Sequence, residues 1–165
     1  MKNTKKIAML GIGIATYVVL SCIFKIPILA GTHLQTDLGY VAFGVFLVAL
    51  GPIATIIGVI GCLLESLLFS GWVPIGWMLG QLAIGLICGF AYKKNKITWL
   101  NIVITIVAVF IGVGGIKTGI ECFLYDIPVL VKLPKNIFAA IADAIPMVGG
   151  YLLAIKTALK KYINK

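Results

Sequence analysis

Apolar residues fill this chain in long runs, and the polar residues fall in short breaks between them. The first run spans about Lys6–Phe24 and follows Lys2, Lys5 and Lys6. That start resembles a signal peptide, but the run is longer than a usual signal core and leads into further runs, so an uncleaved first helix is expected. A loop from Lys25 to about Thr36 carries Pro27, Gly31 and His33. The second run, about Asp37–Leu50, is short. At 1.5 Å per residue it reaches about 20 Å, less than the roughly 30 Å hydrocarbon core of a bilayer. Gly51-Pro52 then stops the helix in a tight turn.

The third run covers about Ile53–Phe69 and ends at Ser70-Gly71-Trp72-Val73-Pro74. The fourth covers about Ile75–Tyr92, closed by the polar stretch Lys93–Lys96, and the fifth about Ile97–Ile116. The stretch Lys117–Lys135 is amphipathic and holds Pro128 and Pro134, which predicts a structured loop or broken helix. The sixth run, about Asn136–Ile155, ends in Lys156, Lys160, Lys161 and Lys165. The expected fold is an all-α integral membrane protein: a compact bundle of six transmembrane helices forming one domain over residues 1–165.

Composition supports the membrane reading. Of 165 residues, 61% are hydrophobic and 12% charged, and the mean hydropathy is +1.13. A soluble domain of this size has too little interior to hide that much apolar surface. The net charge of +9 comes from 14 lysines, no arginine and 5 acids. Lysine without arginine argues against nucleic-acid recognition, which favours bidentate guanidinium contacts. Topology explains the lysines better. With the N-terminus inside, Lys2, Lys5, Lys6, Lys93, Lys94, Lys96, Lys156, Lys160, Lys161 and Lys165 are cytoplasmic, and no acid accompanies them. Both termini are therefore expected on the cytoplasmic side of the cell membrane. Cys22, Cys62, Cys88 and Cys122 form no C-x-x-C pair and read as small packing residues, with neither a disulfide nor a metal site indicated.

Asp37, Glu65, Glu121, Asp126 and Asp143 all fall in the outer half of this topology. An ionisable group at membrane depth is costly and suggests function. Trp77 and Gln81 are four apart on one helix face. Lys117, Glu121 and Tyr125 repeat at helical spacing, and Asn136 aligns with Asp143 across Ala139 and Ala140, whose small size would let a flat ligand approach the backbone. His33, Tyr40 and Trp72 sit in or beside outer loops. The candidate solute-binding residues are Asp37, Tyr40, Glu65, Trp72, Trp77, Gln81, Lys117, Glu121, Asn136 and Asp143. Competing structural roles exist: interfacial belt for Trp72 and Trp77, helix N-cap for Asp37, and a structural ion pair for Lys117 with Glu121. Gly11 and Ala15 form a small face on the first helix, at a spacing that permits close helix approach.

In this order, the first helix I-A-M-L-G-I-G-I-A-T-Y-V-V-L, the stretch D-L-G-Y-V-A at Asp37–Ala42, the turn A-L-G-P at Ala49–Pro52, and G-W-V-P-I-G-W-M-L-G-Q-L-A-I-G-L-I-C-G-F carry a resemblance over essentially the whole length. The chain resembles the substrate-binding S component of an energy-coupling factor (ECF) transporter. That resemblance implies a vitamin-uptake subunit with its solute near the outer face. Its partners would be a membrane coupling protein, docked through an Ala-x-x-x-Ala face, and two cytoplasmic ATPases. Gly11 and Ala15 stand at the docking positions, with glycine replacing the first alanine. The subunit would reorient in the membrane to release its solute inside. The expected partners are thus a small-molecule substrate, the coupling protein, the ATPases and membrane lipid, without nucleic acid.

No nucleotide-binding or catalytic motif occurs, so this chain is expected to bind no cofactor and ATP to be used by the partner ATPase subunits. Carboxylates beside tryptophans favour a flat, donor-rich nitrogen heterocycle such as a pyrimidine or deazapurine. The alternative is a stand-alone ion-coupled transporter or channel, with Glu65 or Asp143 as proton relay. An intramembrane enzyme with those acids as a pair is a third reading.

Overall fold

A computed structural model describes residues 3–23, 25–27, 35–94 and 98–157, with the side chains of 25–27, 35, 93 and 94 left aside. His33 and the lysines at 2, 96, 160, 161 and 165 lie outside the described residues. The elements are α1 (Asn3–Ile23), β1 (Lys25–Pro27), β2 (Gln35–Asp37), α2 (Gly39–Leu50), a 3-10 turn (Gly51–Ala54), α3 (Thr55–Ser70), α4 (Ile75–Lys94), α5 (Thr98–Val109), a wide π-type stretch (Phe110–Lys117), α6 (Thr118–Tyr125) and α7 (Val129–Lys156). Five helical runs among them are long and apolar enough to cross a membrane. The sequence pattern suggested six, and the difference lies in the run Gly39–Ser70, which holds the second and third expected segments.

That run is broken in the middle. Gly51 adopts φ 64° and ψ −144°, a conformation that side chains disfavour, and Pro52 follows at the start of the 3-10 turn. The two arms fold against α1: a methyl group placed on Gly13 would meet both Phe46 of α2 and Ile57 of α3. Phe43, nearer the start of α2, packs over Gly58 and reaches Tyr17. The arms therefore run antiparallel.

The helix α2 is uncharged all round, as suits an element surrounded by protein. Its most extensive partner is α7. The approach is close because Gly44 and Gly150 face each other's helix: an added Cβ at Gly44 would meet the Met147 carbonyl, and one at Gly150 the Val41 carbonyl. Tyr17, Tyr40, Phe43, Leu47, Ile57, Ile84, Val109 and Met147 form the core around it. With 12 residues, α2 spans only about 18 Å, and its central position means that protein rather than lipid meets most of its surface.

The structure decides one segment that the sequence left open. Of the two expected forms of residues 117–135, a structured loop or a broken helix, it is the broken helix that forms. The fifth run continues without interruption from Thr98 to Tyr125, through the wide stretch at Phe110–Lys117. A short turn at Asp126, with φ 51°, leads into α7, which begins at Val129 and contains Pro134 and Pro146. Pro134 is the sixth residue of α7, so it leaves the Leu130 carbonyl without its i+4 N–H donor. The paired strands β1 and β2, in register Lys25↔Asp37 and Ile26↔Thr36, hold Asp37 at the mouth of the bundle.

Candidate functional site

At one end of the bundle a cavity of about 320 Å³ opens between α1, α3, α4 and α7. Its lining includes Asp37, Glu65, Trp72, Trp77, Gln81 and Asp143, so six of the ten candidate residues meet there. The described lysines at positions 5, 6 and 156 lie toward the opposite ends of their helices.

Three of those residues are bound into one network. The Asp37 carboxylate accepts from Ser21 Oγ at 2.6 Å, Tyr17 Oη at 3.1 Å and the Gly39 backbone N–H at 2.7 Å. The last bond satisfies the first helical N–H of α2, although the N-cap position itself is Leu38. Asp37 thus fills a capping role from one residue earlier and joins α1 to α2. Its own N–H donates to Asp143 Oδ1 at 3.3 Å, and Gln81 Nε2 donates to Tyr17 Oη at 3.3 Å. Asp143 and Gln81 are nearly fully buried. Asp143 Oδ2 and Gln81 Oε1 have no hydrogen-bond partner among the described residues.

Lys117, Glu121 and Asn136 do not line the cavity; they form a second cluster behind its wall. Lys117 Nζ donates to Asn136 Oδ1 at 2.7 Å and lies 3.8 Å from Glu121 Oε1. Lys132 donates to Glu121 Oε2 at 3.1 Å. The Asn136 amide also donates to Thr118 at 2.9 Å, so the buried charges have partners as burial demands. The ammonium of Lys117 sits 3.7 Å from the centre of the Trp77 ring, a cation–π contact that backs a wall of the cavity. Trp72 packs edge-on against Tyr125 at 6.4 Å. Tyr40 is fully buried in the core beneath the site, because its position next to Gly39 falls inside α2 rather than in a loop. Ala139 and Ala140 belong to the core packing and not to the cavity lining.

The residues missed from the sequence are Tyr17, Ser21, Cys62, Ser66 and Ser70, together with Thr36. Their signal was present: Gly13, Tyr17 and Ser21 recur every fourth residue along an apolar helix, and Cys62 and Ser66 flank Glu65 on one face of α3. On α1, Gly11 and Ala15 are exposed on the side away from the bundle. An added Cβ at Gly11 would meet nothing.

A family model described as ECF-type riboflavin transporter, S component, matches residues 1–161. The chain belongs to this S-component family. Its members are transporter subunits that bind substrates in the membrane, not enzymes. Related sequences bear the name UPF0397 protein. One from Aster yellows witches'-broom phytoplasma is 32% identical over 92 residues, covering 55% of this chain and 49% of that protein. One from Enterococcus faecalis is 27% identical over 92% of this chain and 88% of its own length. The match thus spans about half the length of the phytoplasma relative. Among solved structures, FolT bound with folic acid is similar with a TM-score of 0.71 and 26% identity over 95% of both chains. The S component for biotin from an ECF-type ABC transporter shares the fold, with a TM-score of 0.62 at 19% identity over 99% of both chains.

Proposed function

We propose that this S component captures a small, flat nitrogen heterocycle at the outer face of a prokaryotic plasma membrane. It delivers the solute inside when docked on a membrane coupling protein driven by two cytoplasmic ATPases. The observation that carries this reading is the cavity of about 320 Å³ lined by Asp37, Glu65, Asp143, Trp72 and Trp77. Its volume lies at the low end of the roughly 300–1,000 Å³ usual for ligand pockets. Aromatic walls suit a planar ring, and carboxylates suit its N–H donors.

The antiparallel arms and the lysine-bearing helix ends support a six-crossing topology. The antiparallel arms of Gly39–Ser70 count as two crossings, which makes six. Both termini and the lysine-bearing helix ends are then cytoplasmic, and the cavity faces outward. The docking surface is the exposed face of Gly11 and Ala15 on α1, where small residues permit close approach by another helix. The chain acts as one membrane domain, binds no cofactor itself, and leaves ATP to its partners.

Native mass spectrometry of the purified protein tests the solute class, with a co-purified heterocycle expected. Uptake by the protein alone in liposomes, driven by a proton gradient, would instead support an ion-coupled carrier and overturn the need for partners.

A further inference from the structure

Among the described residues, two buried acceptors on side chains that line the cavity, Asp143 Oδ2 and Gln81 Oε1, lack partners, as does the Tyr40 hydroxyl in the core; each of the two acceptors belongs to a side chain held by a bond that fixes which atom remains open. Asp143 Oδ1 takes the Asp37 backbone N–H, leaving Oδ2. Gln81 Nε2 donates to Tyr17 Oη, leaving the carbonyl Oε1. The Tyr17 hydroxyl spends its own hydrogen on Asp37 Oδ2, so toward Gln81 it can only accept. That sets the orientation of the amide. Both side chains line the same cavity and are nearly fully buried. Buried polar atoms are ordinarily satisfied, and an open one is costly. Neither ion pair near the site reaches Asp143, since Lys117 and Lys132 both serve Glu121.

We infer that Asp143 Oδ2 and Gln81 Oε1 are the specificity-determining acceptors of the cavity, that Tyr17 and Asp37 are the positioning residues that orient them, and that the solute presents adjacent hydrogen-bond donors of the amidine or aminopyrimidine kind. This rests on the proposed binding role of the same cavity and narrows it. A donor edge completes both acceptors at once. An acceptor edge of the same shape leaves them opposed by like dipoles, and sites built on buried hydrogen bonds reject such analogues strongly.

The test is calorimetric titration of the purified full-length protein in detergent with 2,4-diaminopyrimidine and with uracil, rings of the same size and opposite edge polarity. The expected result is at least tenfold tighter binding of 2,4-diaminopyrimidine. Asp143→Asn places an N–H where an acceptor stood, and should bring the ratio to one or below. Tyr17→Phe frees the Gln81 amide to turn, and should shrink the ratio even if overall affinity changes little. Gln81→Leu offers a second route to the same loss of discrimination should Tyr17→Phe fail to fold. Uracil binding as tightly as 2,4-diaminopyrimidine overturns the inference and leaves the heterocycle site standing. Binding of neither ring, with none of a panel of heterocyclic vitamins bound, overturns both.

Discussion

The Asp37 backbone N–H donates to Asp143 Oδ1 at 3.3 Å, joining two residues 106 positions apart. One end of the bond is on the strand that precedes α2, and the other is in the middle of α7. The same Asp37 side chain holds Tyr17 and Ser21 of α1. One residue therefore links three helices around the cavity.

Asp37→Ala should accordingly lower stability more than a change at a wall residue. It strands the Ser21 and Tyr17 hydroxyls and the Gly39 N–H, each worth about 1–3 kcal/mol when buried without a partner. A lowered melting temperature of the detergent-purified protein checks this, and Asp37→Asn should recover part of the loss.

Glu65→Gln and Asp143→Asn should each weaken solute binding by about tenfold or more while the melting temperature without solute stays close to the parent value. Both residues line the cavity, and a charged hydrogen bond contributes about 1.5–3 kcal/mol. Unchanged isotherms for both variants would remove them from the site.

Gly11→Leu and Gly13→Leu differ by two positions and should separate docking from folding. Gly11 has open space around it, so the leucine variant should fold, bind solute and fail to transport with the energising module. Gly13 lies against Ile57 and Phe46, so its leucine variant should lose stability outright. Normal uptake by Gly11→Leu would count against the docking face.

Lys117→Met should cost a few kcal/mol, because removing one partner of a buried ion pair costs about 3–5 kcal/mol and Lys132 still serves Glu121. It also removes the cation over Trp77. Thermal melts would register the first effect, and a change in tryptophan fluorescence the second.

Much of the fold was legible along the chain because hydrophobic runs obey the bilayer, and the bilayer acts on each helix separately. The break at Gly51-Pro52 was legible for a similarly local reason. The helix at 117–125 was legible only as one of two alternatives. Its charged residues left a structured loop and a broken helix both open, because a buried charge cluster looks polar in sequence whether or not it faces water; Lys117, Glu121 and Asn136 satisfy one another between α6 and α7. Burial misled at Tyr40, which the neighbouring loop made look accessible.

What the sequence alone determined is the set of apolar runs, the lysine asymmetry, and a set of acids placed where charge is costly. Those depend on composition and spacing, which a single helix in a membrane already feels. Only the tertiary structure decided that Asp37 and Asp143 meet while Lys117 and Glu121 stand apart behind Trp77. Which side chains share a cavity depends on how the helices pack, and here Gly44 and Gly150 let α2 and α7 approach closely enough to bring those distant residues together.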